Sequence, residues 1–595
     1  MNHRSSALAR AGPSGRSQTA PYAFEALLLA AGVLAAAHLF LVFRIEINWD
    51  EFHFLSLVHE HGRGSLDLGL QTFHVHPFAW LPHLGPDEVD QVLGARSLYW
   101  ALLVGSSSLL FLIARRIASP PAALFTVLAF LSYGEVVGHG TSFRADGLAL
   151  FFCLGCVALI VRGGKSTASS VSAGVLAAVA LLITIKTIFY FPTFIALSLL
   201  SGPDLRWQGR VRRVLTFGVS AGMAFLALYG LHSLALAAPP VTDSVGVARQ
   251  AGQKVLLWDD LFPRDDYLQW TLFSNALVWL WVAAGVAIAV LWPRALQAGS
   301  RAVVLALLLP LGSVAVYRNA FPYFFVFIVP PALVAAALPV EMILRRRGWS
   351  AGRLAILSTM VLTLLAPAAA QVRWHLQDDL SYQRQVLDLV HELFPEPVPY
   401  IDGHDVVASF PKIGFFMSSW GLENYWTRGE PIFEDLLIRH QPRFLLVTTP
   451  ALAPPRDRDE SSTGLLHLLP EDRRILASNF VRYWGPLRVP GKDVRVEREG
   501  TSVEILLGGV YDIESPDTVT IDDRAYAPGG HVRLEPGVAR ITSTAPSSRL
   551  ILRLSLSPSP PPAPPEEPLF RGFYPCGTPV APCASGASPE ASAGS

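Results

Sequence analysis

Long apolar runs are the feature that most constrains the fold of this chain. In the first 370 of its 595 residues, predominantly apolar stretches recur between short charged loops. A helix needs about 20 such residues to cross the roughly 30 Å hydrocarbon core of a bilayer. Nine runs are candidate spans, at residues 22–43, 97–113, 118–137, 147–161, 214–238, 272–292, 302–317, 323–343 and 354–370. The pattern predicts a polytopic α-helical membrane protein.

The composition supports this class and excludes others. Hydrophobic residues make up 51% of the chain and charged residues only 16%, whereas an ordinary globular protein has about 25% charged residues. The 47 basic and 47 acidic residues cancel, so no overall field attracts polyanions. A nucleic-acid partner, a disordered chain and a secreted disulfide scaffold are therefore excluded.

A tenth apolar stretch, residues 171–200, is interrupted by Lys186 and Pro192. It predicts either one long helix or two short helices that meet near Lys186. The charge distribution favours two helices, because Lys and Arg are enriched in cytoplasmic loops. With two helices, the arginine-rich segment 206–213 lies on the cytoplasmic side and the acidic loops lie on the opposite side. We therefore predict about 11 spans and a C-terminal region outside the cytoplasm.

After the last apolar run the composition becomes that of a soluble domain. Helical periodicity at 381–394 and 433–440 alternates with strand-like segments at 398–402 and 444–448, which predicts an α/β unit. Residues 494–556 show short alternating strands with Gly, Pro and Asp turns, as in a β-sandwich. The predicted regions are a cytoplasmic tail at 1–21, a transmembrane domain at 22–370, an extracytoplasmic α/β domain at 371–490, a β-rich domain at 491–556 and a Pro/Ser/Ala-rich disordered tail at 557–595.

Two adjacent carboxylates follow the first apolar run. Asp50 and Glu51 lie between Trp49 and Phe52, just outside the first predicted span. A partly desolvated carboxylate has a raised pKa and can act as a general base. The alternative is that both acids are solvated at the start of an interfacial helix, and position alone does not separate the two interpretations.

Three cations are predicted on the same side of the membrane as Asp50. Arg144 and Asp146 open the fourth span, Lys186 lies at the tip of the 171–200 hairpin, and Arg318 precedes the tenth span. Cations near membrane depth are costly and commonly mark a pathway or an anionic ligand. The alternatives are an Arg–Asp pair that caps a helix and basic side chains that extend to the interface.

His74 and His76 lie in the first outer loop, two residues apart. They could bind a divalent metal together with Asp50 or Glu51, but no cysteine ligand is near. We favour histidines that contact the interface or a substrate over metal ligands. No phosphate-cradling glycine loop is present, so the sequence has no signature of ATP-driven transport.

These motifs resemble one family in their order and sidedness. Asp50-Glu51 after the first span, residues 143–146 at the fourth, residues 184–187 in the hairpin and residues 318–323 before the tenth resemble the GT-C-type integral-membrane glycosyltransferases. The likeness covers about residues 24–370. The nearest groups are glycosyltransferase family 39, with protein-mannosyltransferase, aminoarabinose-transferase and galacturonosyltransferase-like members.

The resemblance implies an enzyme of the bacterial cytoplasmic membrane with its C-terminal domain in the periplasm. Its donor would be a sugar on a polyprenyl phosphate, and its acceptor a hydroxyl of a lipid, glycan or protein. Asp50 would be the catalytic base of an inverting displacement, and Glu51 would position the sugar or acceptor. The donor phosphate would be bound by Arg144, Lys186 and Arg318. Further substrate contacts would come from Asp146, Tyr323, His74 and His76. No cofactor is firmly implied, although dependence on a divalent metal stays open.

Two other functions fit parts of the sequence. A lipid-linked glycan transporter, or flippase, would carry its charges near the midplane on discontinuous helices, whereas these charges cluster at one face. A binding protein anchored by its spans would need far fewer than 11 of them. The enzyme is the favoured interpretation.

Overall fold

The structure is a computed structural model that describes residues 19–163, 166–200, 206–237, 261–297, 299–345, 351–453, 467–557, 562 and 568–570. It contains a helical membrane domain and a C-terminal domain with two β-sheets. Most of the two predicted tails lies outside the described residues.

Every predicted span is helical within the described ranges. Five helices are long and apolar enough to cross a membrane: Phe24–Val42, Glu88–Ala114, Ala145–Arg162, Trp207–Ser233 and Leu354–His375. Two bent pairs pass the same test together: Asp265–Ser274 with Ala276–Leu291, and Pro322–Ile328 with Pro330–Arg345. Four apolar helices are shorter: Pro120–Ser132, Thr167–Ile183, Ile185–Leu200 and Ser300–Ala315. The predicted class, a polytopic α-helical membrane protein, is confirmed.

Local chemistry explains the two sharp bends. The 54° bend falls at Pro330, because proline lacks the N–H that would continue the helix and clashes with the preceding turn. The 87° bend falls at Asn275, whose amide side chain satisfies groups on a neighbouring helix. Its Nδ2 donates to Glu135 Oε2 at 2.8 Å, and its Oδ1 accepts from the Gly134 N–H at 2.8 Å. Polar contacts therefore hold this span in its broken form.

The predicted hairpin at 171–200 is confirmed. The helix Thr167–Ile183 ends at Thr184, which has extended backbone angles. A 3-10 helix, Ile185–Tyr190, then leads into the helix Phe191–Leu200. Lys186 lies in that 3-10 turn, and Pro192 lies in the first turn of the second helix, where its missing N–H costs nothing. The break therefore places the lysine at the end of the membrane helices rather than inside one.

The helix Trp49–Arg63 follows the first span and carries Asp50. Asn48 caps it, since its Oδ1 accepts the Asp50 N–H at 3.0 Å. Gly64 ends it in a left-handed conformation, with φ of 67°, which glycine adopts without steric cost. Other short segments of the membrane domain are Val75–Phe78, Leu81–Leu84, Gly134–His139 and Pro293–Ala295.

The C-terminal domain has the predicted alternation of helices and strands. Its helices are Ser381–Leu393, Ser419–Arg428, Phe433–His440 and Pro470–Asn479. Its strands are β1 (Tyr400–Asp402), β2 (Lys412–Ile413), β3 (Phe444–Leu446), β4 (Phe480–Trp484), β5 (Leu487–Glu497), β6 (Thr501–Ile505), β7 (Gly509–Glu514), β8 (Val519–Ile521), β9 (Arg524–Tyr526), β10 (His531–Leu534), β11 (Gly537–Ser543) and β12 (Ser547–Leu554).

One sheet joins the two predicted parts of this domain. Its strand order is β10-β7-β12-β5-β3-β1-β2, with β4 also paired to β5. β1 is parallel to β2 and β3, and the remaining pairs are antiparallel. The predicted boundary at residue 490 falls inside β5, which carries the sheet from the α/β part into the β-rich part. A second sheet, β6-β11-β8-β9, packs against the β-rich end through a shared apolar core.

The C-terminal domain rests on the outer loops of the membrane domain. Gln383 exchanges two hydrogen bonds with the backbone of Ile47, at 3.0 and 2.9 Å. His391 Nε2 lies 2.8 Å from a carboxylate oxygen of Glu88. Both contacts involve residues that flank membrane spans on the side of Asp50, so the domain lies directly over that side.

Candidate active site

Four charged side chains meet where the first, fourth and fifth spans end. Asp50 forms an ion pair with Arg144. Asp146 forms another with Lys186, with Oδ1 and Nζ 2.7 Å apart. We call Asp50, Arg144, Asp146 and Lys186 the charge cluster. Its formal charges cancel, which satisfies the requirement that buried charges be paired.

Arg144 is the centre of the charge cluster. It precedes the helix Ala145–Arg162, has an extended backbone and does not cap the helix with its side chain. The guanidinium carbon lies 3.4 Å from the centroid of the Tyr323 ring, in a cation–π contact. Its Nε is 3.7 Å from Asp146 Oδ2 and, although buried, has no hydrogen-bond partner. Arg144 therefore keeps one donor that a ligand could use.

Lys186 and Tyr323 complete this side of the site. The Lys186 Nζ lies 5.0 Å from the centroid of the Tyr323 ring, so one aromatic ring faces both cations. The lysine side chain is 13% exposed and Asp50 is 17% exposed. The structure therefore brings Asp50, Arg144, Asp146, Lys186 and Tyr323 together at the face where Asp50, Arg144 and Lys186 were predicted to lie.

Glu51 is arranged differently from its neighbour, and its role in positioning the sugar or acceptor stays a prediction. Its side chain is fully buried, and both oxygens accept hydrogen bonds from Arg96, at 2.7 and 2.8 Å. Arg96 also donates to the carbonyl oxygens of Ile45 and Glu46, at 2.6 and 3.0 Å. Glu51 thus fixes the link between the first span and the helix that carries Asp50, with both of its carboxylate oxygens bound by Arg96.

Arg318 is engaged by the C-terminal domain. It forms an ion pair with Glu423 on the helix Ser419–Arg428. Its side chain is 35% exposed, in contrast to the buried Arg144. The structure thus brings two of the three predicted cations together and directs the third towards the C-terminal domain.

The two loop histidines have separate surroundings. His74 is buried between the rings of Phe54 and Phe143, and burial lowers the pKa of His74 to about 3. The Nε2 of His76 lies 2.8 Å from His232 Nδ1. Neither histidine contacts Asp50 or Glu51 among the described contacts, so these four residues do not form the alternative metal site, and the substrate contact of His74 and His76 stays a prediction. Within the described part of the chain, no three His, Cys, Asp or Glu side chains lie close enough together to hold a metal ion.

The C-terminal domain contributes a loop that sequence reasoning missed. His404 follows β1, and its ring stacks on Trp49 with centroids 5.6 Å apart. The next residue, Asp405, binds His53 at 2.6 Å and forms an ion pair with Lys412. A usable signal was present, because this Asp-Gly-His-Asp loop follows a predicted strand, and ligands bind beyond the carboxyl ends of parallel strands.

Two residues of the predicted tail also lie against this region. The Leu569 carbonyl accepts a hydrogen bond from Gln383 Nε2 at 3.3 Å. The Phe570 ring lies 5.9 Å from Trp49 and 5.5 Å from His404, edge-on in both cases. These contacts add aromatic surface beside the helix that carries Asp50.

The stacking of His404 predicts a pH-dependent stability. Burial lowers the pKa of His404 to about 4, although Asp50 and Asp405 oppose the shift. In the unfolded chain the imidazole takes up a proton near pH 6.5, whereas in the folded protein it stays neutral down to about pH 4. The stability is therefore fully present above pH 6.5 and is lost as the pH falls towards 4. We expect the free energy of unfolding to fall by about 3 kcal/mol over that window. Thermal unfolding measured at pH 7 and at pH 5 should show a smaller fall in stability for His404→Phe than for the wild type. An equal fall in both proteins would show that His404 is not the group responsible.

The fold is shared with solved proteins, two of which are described here. The AglB oligosaccharyltransferase of Archaeoglobus fulgidus, in complex with an inhibitory peptide and a dolichol-phosphate, has 10% identity and a TM-score of 0.52, covering 91% of this chain and 98% of that one. ArnT of Cupriavidus metallidurans in the apo state has 14% identity and a TM-score of 0.54, covering 79% and 98%. ArnT bound to undecaprenyl phosphate has 15% identity and a TM-score of 0.53, covering 72% and 93%.

The similarity is visible in structure and not in sequence. No protein-family profile matches the chain, and no curated protein sequence matches it. At 10–15% identity the two solved proteins establish the fold. The chain therefore has the GT-C fold of polytopic membrane proteins with a C-terminal domain, as its motifs predict.

Proposed function

We propose that this multi-pass membrane protein is a glycosyltransferase that moves a sugar from a polyprenyl phosphate to a hydroxyl of a lipid, glycan or protein acceptor, at the outer face of the bacterial cytoplasmic membrane. The charge cluster is the observation that carries the proposal. In it Asp50 pairs with Arg144, while Asp146 pairs with Lys186. A carboxylate and two cations suit sugar transfer from a phosphate, because one removes the acceptor proton and the others stabilise the leaving group.

A lipid phosphate donor is supported by the ligands of two proteins with this fold. AglB is bound to a dolichol-phosphate and ArnT to undecaprenyl phosphate. In this chain the carboxylates of Asp50 and Asp146 take the positions on Arg144 and Lys186 that phosphate oxygens would occupy. The Nε of Arg144, which has a 3.7 Å contact with Asp146 but no hydrogen-bond partner, gives a further donor, and the guanidinium fork matches phosphate geometry. Donor binding would release Asp50 from its ion pair.

Asp50 then acts as the general base. The acceptor oxygen attacks the anomeric carbon, and a new C–O bond forms as its proton passes to Asp50. The bond between the anomeric carbon and the phosphate oxygen breaks, and its electron pair remains on the phosphate. Arg144 and Lys186 stabilise that charge. Attack opposite the leaving group inverts the anomeric centre.

Removing the charge of Lys186 tests the donor-phosphate site. We expect Lys186→Met to lower sugar transfer by about 10²–10³-fold, the usual cost of losing a preorganised group that stabilises developing charge. The measurement is transfer of radiolabelled sugar from a panel of polyprenyl-phosphate donors, in membranes with matched amounts of folded protein. Lys492→Met, which removes a lysine from β5, is the matched control and should transfer at the wild-type rate.

The same assay separates the remaining possibilities. A wild-type protein that transfers no sugar from any donor overturns the proposal, whereas a fully active Lys186→Met variant removes only Lys186 from the site. Arg318→Met should lower sugar transfer much less than Lys186→Met does, because Arg318 is paired with Glu423. An equal loss of transfer in the two variants would indicate that Arg318 also binds the donor phosphate.

The transporter remains the second candidate because two spans are broken, by 87° and 54°, and discontinuous helices are typical of transporters. The charge cluster does not lie at either bend. A flipping assay with a fluorescent lipid-linked glycan would detect this activity, and flipping without transfer would favour the transporter.

A further inference from the structure

A histidine flanks the proposed base on the helix Trp49–Arg63. His53 follows Asp50 by three residues in this helix. Side chains three positions apart on a helix are neighbours, with Cβ atoms about 5–6 Å apart, a separation that a direct hydrogen bond or one bridging water covers. Both side chains are partly accessible, Asp50 at 17% and His53 at 24%. His53 is therefore placed to exchange a proton with Asp50.

The C-terminal domain fixes the orientation of the His53 ring. Its Nδ1 lies 2.6 Å from Asp405 Oδ2, and the ring stacks on Phe416 with centroids 4.0 Å apart and planes 17° apart. A carboxylate bound to one imidazole nitrogen holds the proton there in the neutral ring, which leaves the lone pair on the other nitrogen. Within the described part of the chain, no hydrogen bond reaches that other nitrogen, Nε2. The ring therefore presents an oriented proton acceptor.

The charges around His53 suit a ring that gains and loses a proton. Asp405 is 4% exposed and also forms an ion pair with Lys412. Burial alone would raise the pKa of Asp405, but Lys412 and His53 hold it well below its usual range. Asp405 thus stays a carboxylate that can offset the charge of an imidazolium. Glu60 on the same helix and His74 in the adjacent loop are further titratable groups that interact electrostatically with His53.

Each turnover of the proposed reaction leaves a proton on Asp50. In the structure Asp50 is paired with Arg144, whose side chain is 7% exposed. This enclosed ion pair forms again only after the Asp50 carboxyl has lost its proton. A titratable side chain at the edge of the pair, with one face towards water, would give that proton a path out of the site.

From this arrangement we infer that His53 relays the catalytic proton from Asp50 to water, oriented by Asp405 of the C-terminal domain. The inference rests on the proposed function and adds a residue to it. The O–H bond of protonated Asp50 breaks as an N–H bond forms at His53 Nε2, which leaves an Asp50 carboxylate and an imidazolium beside Asp405. Water then takes the Nε2 proton, and the electron pair of that N–H bond returns to the nitrogen. Asp405 is a positioning residue, since it acts through His53.

Chemical rescue tests the relay. We expect His53→Ala to lower sugar transfer by about 10²-fold at matched amounts of folded protein, the lower end of what a positioned proton-transfer group contributes. Added imidazole should restore transfer in proportion to the concentration of its neutral form, because it can carry the proton from the space that the ring has left.

His531→Ala is the matched control for the rescue. His531 also pairs with an aspartate, Asp512, at 2.6 Å, but its side chain is 65% exposed and lies on β10. This variant should transfer sugar at the wild-type rate, both with and without imidazole.

Asp405→Asn separates the relay from a purely structural role of His53. The ring must be neutral to accept a proton, so transfer falls as the ring becomes protonated at low pH. Asparagine removes the anion that favours the imidazolium and leaves the Lys412 cation beside the ring, and both changes make the imidazolium less stable. We therefore expect the acidic limb of the pH–rate profile to move to lower pH by about 1 unit or more. In the His53→Ala background the same substitution should leave the profile unchanged.

The relay and the proposed function fail in different ways. The relay is overturned by wild-type rates in His53→Ala, by a loss that imidazole does not restore, or by an unmoved acidic limb in Asp405→Asn. A wild-type protein that transfers no sugar from any donor overturns the proposed function instead. Carbethoxylation of His53 by diethyl pyrocarbonate, followed against pH by mass spectrometry, then still tests the pairing: the curve should move to lower pH in Asp405→Asn, and identical curves would contradict the orientation of His53 by Asp405.

Discussion

Asp50→Asn is expected to abolish most sugar transfer while leaving the fold intact. Asparagine keeps the shape of aspartate but cannot accept a proton, and a general base contributes about 10²–10⁴-fold to a rate. The Arg144 partner would lose its charge pairing with Asp50 but keep Asp146 nearby and the Tyr323 ring. The measurement is radiolabelled transfer at equal amounts of folded protein, with the lipid-phosphate donor that the wild type prefers.

Asp67→Asn is the matched control for this variant. Asp67 lies in the same outer loop as Asp50 and has an exposed side chain. Its substitution by Asn changes the charge by the same amount. It should transfer sugar at the wild-type rate. If Asp50→Asn were as active as Asp67→Asn, Asp50 would be a structural partner of Arg144 and the base would have to be another group.

The largest stability effect should come from breaking the Glu51–Arg96 pair. Arg96 is 2% exposed and Glu51 is fully buried, and removing one partner leaves an uncompensated buried charge. Such a loss typically costs about 3–5 kcal/mol. We therefore expect Glu51→Gln to lower the free energy of unfolding by this amount in a denaturant titration in mixed micelles.

Two further variants interpret that result. Glu51→Leu combined with Arg96→Met removes both charges and should recover most of the lost stability, since an apolar pair of similar volume can replace a buried ion pair. Arg439→Met breaks the exposed pair with Asp435 and should change stability by less than about 1 kcal/mol. If Glu51→Gln were fully stable but inactive, the result would instead support the predicted contact of Glu51 with the substrate.

The membrane architecture was predictable because hydropathy and charge act locally along the chain. An apolar run must form a helix in lipid, where every backbone polar group needs an internal partner. The two helices around Lys186 followed from the positive-inside tendency, and the structure has the break at Thr184. The same sidedness predicted that Asp50, Arg144, Asp146 and Lys186 would lie at one face.

Asp50 and Glu51 are adjacent in the sequence, but their side chains have different partners in the structure. Asp50 and Glu51 lie in one helical turn, where successive side chains point about 100° apart. Asp50 pairs with Arg144, whereas Glu51 pairs with Arg96 in the interior. Which carboxylate pairs with which cation therefore depends on how the helices are rotated against one another, and no local pattern records that rotation.

The sequence by itself determined that this chain spans a membrane many times and that Asp50, Arg144, Asp146 and Lys186 lie at one face, because both depend on composition within about 20 residues. Only the tertiary structure decided that His404 stacks on Trp49, that Arg318 pairs with Glu423 and that His375 and Asn48 line one cavity. These partners are 100 or more residues apart in the chain, and their contacts arise when whole domains dock.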